Sequence, residues 1–300
     1  MGLVKINFKK IELCCNSLSE KDKILAIGDS TGIVRILDIR KNFNSGINLK
    51  SHKLEISKII NDESNLISCS SDTKIKRYDL RKQIILDSFI GHNGPVNDLD
   101  IFQKSMISAS EDGDVRLWDL RENKFTGKLT HGFNLSGCKF MNNSNLIVSV
   151  GLDNTLFLWD LRMNKTFLKK TEVLRNENNI VISLCVSKFS NYLFILNNNF
   201  RVFRIGKKYT HCSEFIGKKK ERNPCFYRMK LNEDDNSKFL LHGNLEGKIF
   251  IRNQKSGKIL KQFYDHLSEV TEITLNQKIK TLVSCGKDGS VVIRKVNFLD

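Results

Sequence analysis

Ser108 to Arg121 reads SASEDGDVRLWDLR, and the reading of this stretch decides the fold. It joins a run of small residues, an Asp-Gly turn signal, an alternating apolar run and a Trp-Asp pair. A near copy, SVGLDNTLFLWDLR, occupies Ser149 to Arg162. Aligned on the aromatic of VRLWDLR, matching segments centre on Leu37, Tyr78, Trp118, Trp159, Phe203, Arg252 and Arg294, with successive differences of 41, 40, 41, 44, 49 and 42 residues. Self-similarity at such a period means that the chain is built from repeated supersecondary modules, each too small to bury its own apolar faces.

Each repeat reads as four short strands. In the third, VNDLDIF (96–102), MISAS (106–110), DVRLWDL (114–120) and KFTGKLTH (124–131) are separated by turn residues. Asp112-Gly113 suits a tight hairpin, since both residues tolerate positive φ. The equivalents of the second strand, LAIGD, LISCS, LIVSV, YLFIL, FLLHG and TLVSC, are continuous apolar runs, as expected of strands covered on both faces. Pro95 and Pro224 fall just before a first strand, where no ladder donor is lost. The seventh repeat is one strand short, and LVKINF (3–8) is a strand-like segment with no repeat of its own. Residues 3–8 are therefore expected to complete the seventh module and remove an open edge.

A Trp-Asp signature at a period of 40 to 45 residues resembles the WD-repeat family, and the resemblance covers essentially the whole chain. It implies an all-β fold: a seven-bladed β-propeller of four-stranded antiparallel blades, one domain over residues 1–300, closed by residues 3–8 joining the last blade. It also implies a hydrogen-bonded chain in each complete repeat, here His92, Asp112, Ser108 (or Ser110) and Trp118. Partly matching sets are His52, Asp72 and Tyr78 in the second repeat and His131, Asp153 and Trp159 in the fourth. The seventh keeps His266 and Asp288 but has Arg294 at the aromatic position, so its network must differ. Within the family, the chain is similar to the small WD-repeat subunit shared by COMPASS-type histone methyltransferase and messenger-RNA 3′-end processing complexes, on IKRYDLRKQIILDSFIGH (75–92), VRLWDLR (115–121) and EGKIFIRNQKSGKIL (246–260). Spliceosomal snRNP and ribosomal-RNA-processing propellers are resembled nearly as well.

Composition narrows the chemistry. Recurring His and Asp residues some forty positions apart spread around a ring instead of converging, so catalytic and metal roles are not expected of them. P-loop, His-Glu-x-x-His and Gly-x-Ser-x-Gly segments are absent, which argues against an enzyme. No cofactor, metal or small-molecule substrate is expected. None of the eight cysteines forms a Cys-x-x-Cys pair, and most lie in apolar segments where a thiol behaves as a small hydrophobe. No run of eighteen apolar residues is present, and the first ten residues lack a secretory pattern; Ile6 weakens a myristoylation reading of Gly2. A nuclear or cytoplasmic protein with no membrane association is expected.

The net charge is +16, carried by 49 basic residues against 33 acidic ones. Such a field attracts nucleic acid or acidic partners, although Lys scattered with Asn and Ile equally fits compositional drift. The densest basic run, GKKKER, holds Lys218, Lys219, Lys220 and Arg222 in the loop before the sixth repeat. The Asp-x-Arg boxes place Arg40, Arg81, Arg121 and Arg162 past the third strand of successive repeats. Each Arg either pairs with the Asp two residues earlier or joins a basic arc; Arg121 and Arg162 resemble the boxes by which propellers dock on the adaptor of cullin-type ubiquitin ligases. Three functions stand: a non-catalytic scaffold, expected as a monomeric subunit bound to other proteins of a nuclear chromatin or RNA-processing complex; a ubiquitin-ligase substrate receptor; and a direct RNA binder.

Overall fold

A computed structural model describes residues 3–8, 12–19, 24–38, 46–62, 65–80, 82–141, 145–162, 167–172, 180–187, 192–198, 202–206, 212–216, 232–233, 238–276 and 280–296. Among them the secondary structure is entirely β: seven four-stranded antiparallel sheets, the blades of a β-propeller fold. In chain order their strands are Leu13–Ser19, Ile24–Asp29, Ile33–Asp38 and Gly46–Lys50 (blade 1); Ile56–Asp62, Asn65–Ser70, Ile75–Asp79 and Ile84–Phe89 (blade 2); Val96–Phe102, Ser105–Ser110, Asp114–Asp119 and Lys124–Thr130 (blade 3); Leu135–Phe140, Leu146–Gly151, Thr155–Asp160 and Phe167–Glu172 (blade 4). Blade 5 comprises Val181–Val186, Leu193–Asn197, Val202–Ile205 and Cys212–Ile216, and blade 6 Asn232–Glu233, Phe239–Gly243, Lys248–Asn253 and Ile259–Tyr264. Blade 7 takes Val270–Asn276, Thr281–Gly286 and Ser290–Lys295, and its fourth strand is Leu3–Asn7. That strand runs antiparallel to Ser290–Lys295, with Leu3 opposite Arg294 and Asn7 opposite Ser290, and the Phe8 N–H donates to Gly289 O at 2.7 Å.

The chain divides into two compact units. One contains Met1–Asp72, Lys76–Leu86 and Met229–Asp300, the other Thr73–Ile75 and Asp87–Arg228. In each, apolar side chains from neighbouring blades form a shared layer. In the first unit, Leu241, Ile249 and Ile251 of blade 6 meet Val270, Ile273 and Leu282 of blade 7. Val283, Cys285, Val291 and Ile293 of blade 7 then meet Leu13, Leu25, Ile27 and Leu37 of blade 1. Ala26, Val34 and Ile36 of blade 1 pack against Ile56, Ile59, Leu66 and Tyr78 of blade 2. In the second unit, Ile147 and Trp159 of blade 4 face Ile107, Ala109 and Val115 of blade 3, while Val148, Val150 and Leu156 face Val181, Leu184 and Ile195 of blade 5. Alternate residues of one strand thus enter opposite layers. This is why the second strands read as unbroken apolar runs: neither face meets water, and each buried Val or Ile contributes roughly 1.5–3 kcal/mol.

The hairpin between the second and third strands has one conformational requirement. The residue five before the aromatic position has positive φ in six blades: Gly32 (81°), Thr73 (70°), Gly113 (83°), Asn154 (63°), Gly247 (79°) and Gly289 (73°). Asp112, expected to share the left-handed conformation with Gly113, does not adopt it. Gly113 carries the reversal alone, and the Asp112 carboxylate bonds His92 and Asn93 in the loop that precedes the blade. At Gly247 space is limiting as well: a Cβ would stand 2.0 Å from His266 O.

Candidate functional site

In blade 3 the residues singled out from sequence converge inside one sheet. The Trp118 indole N–H donates to Ser108 Oγ at 2.9 Å, and Ser108 Oγ lies 2.7 Å from His92 Nε2. His92 Nδ1 in turn lies 2.8 Å from Asp112 Oδ2. The Asp112 carboxylate can only accept, so the Nδ1 proton points at it; on the neutral ring Nε2 is then the acceptor, and Ser108, which accepts from Trp118, donates its one proton there. Asp112 also accepts the main-chain N–H groups of Asn93 (3.0 Å) and Asp114 (3.0 Å). Burial pushes this carboxyl up, but the hydrogen bonds from His92, Asn93 and Asp114 outweigh it and hold the group well below the usual carboxylate range. Ser110 is not the junction; its hydroxyl donates to Gly94 O at 2.9 Å and accepts Asp112 N–H. Trp118 is fixed further by edge contacts with Phe89 and Phe125, ring centroids 5.6 and 5.7 Å away.

Blade 2 repeats the plan with Tyr78, whose hydroxyl lies 2.8 Å from Ser68 Oγ; His52 joins Ser68 (2.8 Å) to Asp72 (3.0 Å). Blade 4 departs from it. His131 presents Nδ1 to Ser149 Oγ at 3.0 Å and Nε2 to Thr155 Oγ1 at 2.8 Å, leaving Asp153 3.7 Å away. Thr155 carries the link, donating to Asp153 at 2.7 Å, while Trp159 donates to Ser149 at 2.9 Å. The expected direct His131–Asp153 bond is thus replaced by a hydroxyl relay. Blade 7 keeps both forms: His266 Nδ1 meets Asp288 at 3.1 Å and Ser290 at 2.8 Å, with Nε2 at 2.8 Å from Ser284. Burial lowers the affinity of His266 for a second proton, so the neutral ring donates to an ionised Asp288. Arg294 does not reach Ser284; it binds Asp265 at 2.5 Å and lies 4.4 Å over the Phe263 ring.

Sequence reasoning missed blade 6, where both junction and aromatic change. His242 stands at the serine position, and its Nε2 accepts the Arg252 Nε–H at 2.9 Å while its ring stacks on Phe250 (4.9 Å, 17°). Burial, then the Arg252 charge, push the His242 pKa down to about 3. The signal was a spacing: the junction residue lies ten before the aromatic position in Ser68, Ser108, Ser149, His242 and Ser284 alike. Also missed were the charges on the first strands. Lys139 Nζ meets Asp98 at 2.6 Å and Lys58 meets Glu272 at 2.5 Å, all four largely buried.

The Asp-x-Arg boxes divide. Arg162 grips both carboxylate oxygens of Asp160, with Nε at 2.9 Å and Nη2 at 2.5 Å. Arg121 donates its main-chain N–H to Asp119 at 2.7 Å; the residue is exposed, and its guanidinium has no hydrogen bond or ion pair among the described residues. Arg40, Arg81, Lys218, Lys219, Lys220 and Arg222 lie outside the described residues. Cys69, Cys138, Cys185 and Cys285 are buried and form no disulfide among the described residues. Among the described residues, no helix is long and apolar enough to cross a membrane.

A His and an Asp recur within single blades, each network closed on its own loop, and the family profile for the WD domain, G-beta repeat, matches residues 84–119, 123–160 and 257–294. Those three segments resemble WD40 repeats. Each match begins at or just before the fourth strand of one blade and ends on the third strand of the next, so the matched unit straddles two sheets. Nuclear distribution protein PAC1 of Komagataella phaffii is 23% identical over 303 residues, covering 98% of this chain and 50% of that protein. The CCR4-associated factor 4 homolog of Vanderwaltozyma polyspora is 30% identical over 151 residues, covering 37% and 23%. Apoptotic protease-activating factor 1 of Homo sapiens is 30% identical over 152 residues, covering 49% and 12%. The chain therefore spans at most half the length of these relatives. The three matched segments and these relatives support a WD-repeat family, whose propellers are generally non-catalytic.

Proposed function

We propose that this chain is a non-catalytic scaffold that holds other protein subunits together in a nuclear complex of chromatin modification or RNA processing, acting as one WD-repeat domain. One observation carries the reading. The His, Ser, Asp and Trp or Tyr side chains that recur along the chain are occupied in buried bonds within their own blades, and His92 and Asp112 already spend their donors and acceptors there. What such a chain offers a partner is its loops and outer strands. Relatives named for association, CCR4-associated factor 4 homolog and p21-activated protein kinase-interacting protein 1-like, favour the same role. Affinity purification from native nuclear extract tests it. Recovery of methyltransferase, 3′-end processing or snRNP subunits is expected, and a preparation free of all such subunits overturns the proposal.

The substrate-receptor reading has one observation in its favour: Arg121 is exposed, and its guanidinium has no ion pair among the described residues. Replacing Arg121 and Arg162 by Ala should abolish recovery of a cullin adaptor if that reading holds. Unchanged adaptor recovery rules it out.

A further inference from the structure

The residue two before the aromatic position is basic in the first three blades: Arg35, Lys76 and Arg116. In blade 1, Arg35 is held by Asp29 at 2.8 Å and by Asn48 at 3.1 Å. In blade 2, Lys76 donates to Ser51 O. Blade 3 lacks both groups that hold Arg35. The position of Asp29 is taken by Ser110, which is spent on Gly94 O, and the position opposite the arginine, Asn48 in blade 1, is Lys128. Arg116 accordingly makes no hydrogen bond or ion pair among the described residues, and its Nε is buried without an acceptor. Lys128 beside it adds a like charge, only partly offset by Asp114 at 3.1 Å.

The surroundings are shaped for a ligand that is both acidic and apolar. The guanidinium lies 5.5 Å over the Phe125 ring, which is half exposed. On the other side it fills the space where a Cβ on Gly91 would stand, 2.5 Å from Nη1, and the next residue back, Ile90, is 68% exposed. A half-buried guanidinium without an acceptor is an incomplete arrangement, since charge-assisted hydrogen bonds to a carboxylate are about twice as strong as neutral ones.

We propose that Arg116 anchors a carboxylate from an extended acidic segment of a partner protein, with apolar neighbours of that carboxylate resting on Ile90 and Phe125. This deepens the scaffold reading and is tested apart from it. A display library of short unphosphorylated random peptides is selected in parallel on the wild-type chain, Arg116→Gln and Gly91→Ala. Wild type should enrich peptides with Asp or Glu flanked by apolar residues. Their affinity should fall about tenfold or more in Arg116→Gln, the loss of one charge-assisted bond. Gly91→Ala keeps the arginine but displaces its head group, and should weaken the same peptides. Their addition should also shift the Arg116 Nε–H resonance. The guanidinium donates no internal bond, so Arg116→Gln is expected to fold; should it not, Gly91→Ala and Arg116→Lys decide. The inference is overturned by selection without acidic enrichment, by failure to select any peptide, by affinity in Arg116→Gln within about twofold of wild type, or by a resonance that moves with polyuridine and not with peptide. Co-purification from extract can fail while the peptide experiment succeeds, and the reverse, so the two proposals fall separately.

Discussion

Replacing Ser108 by Ala removes one oxygen and breaks two bonds at once. Ser108 is fully buried, accepts from Trp118 at 2.9 Å and donates to His92 at 2.7 Å. Alanine fits the space, so the cost is that of stranding an indole N–H and an imidazole nitrogen. At about 1–3 kcal/mol for each of the two buried unsatisfied groups, the loss should be about 2–6 kcal/mol. Trp118→Phe removes one stranded partner in advance, so Ser108→Ala in that background should cost at least about 1 kcal/mol less than in wild type. Urea unfolding of the four proteins of this double-mutant cycle, read by circular dichroism, gives both numbers. A cost below about 0.5 kcal/mol for Ser108→Ala, together with no coupling to Trp118, would refute the view that the buried chain stabilises blade 3.

Other perturbations have defined outcomes. Thr155→Val leaves His131 Nε2 and Asp153 without their shared hydroxyl and should cost about 1–3 kcal/mol in urea unfolding, whereas Thr130→Val in blade 3, whose hydroxyl is no part of the histidine chain, should cost less. Thr73→Gly should raise stability by about 0.5–1 kcal/mol, because a β-branched residue there holds φ at 70°. His242 must stay neutral in the fold: its folded pKa of about 3 lies below the unfolded value of 6.5, so the unfolded chain binds the proton first as pH falls. Its contribution is full above pH 6.5 and declines by about 1.4 kcal/mol per pH unit toward pH 3. His242→Asn should flatten that decline between pH 6.5 and 5, and an unchanged slope would contradict the burial of a neutral ring. Deleting residues 1–8 should lower the thermal midpoint, since it exposes the long edge of Ser290–Lys295; an unchanged midpoint would deny that pairing a stabilising role.

The blades were legible because their physics is local. Apolar runs such as LIVSV and turn residues such as Asp112-Gly113 recur at one period, and burial against both neighbours leaves no other use for them. The pairing of residues 3–8 was legible by subtraction, since one repeat lacked a strand. Side-chain chemistry was legible only where residue types stayed constant. His92, Ser108, Asp112 and Trp118 form one chain, but in blade 4 the outcome turned on Thr155, where blade 3 has Asp114, and no rule of spacing says which way an imidazole turns. His242 and Arg252 were illegible as a pair because the motif was sought through its aromatic. Arg116 was hidden for a related reason: a missing partner shows only when Asp29 and Asn48 of another blade reveal what should be there.

The pairing of Leu3–Asn7 with Ser290–Lys295 also sets a timetable. The earlier segment leaves the ribosome long before its mate exists, and must wait unpaired while the other six sheets, each assembled from consecutive strands, take shape. Joining such distant segments carries the largest loop-closure entropy of any strand pairing among the described residues. The seventh sheet therefore cannot be completed until Ser290–Lys295 has been made, however early its outer strand was synthesised.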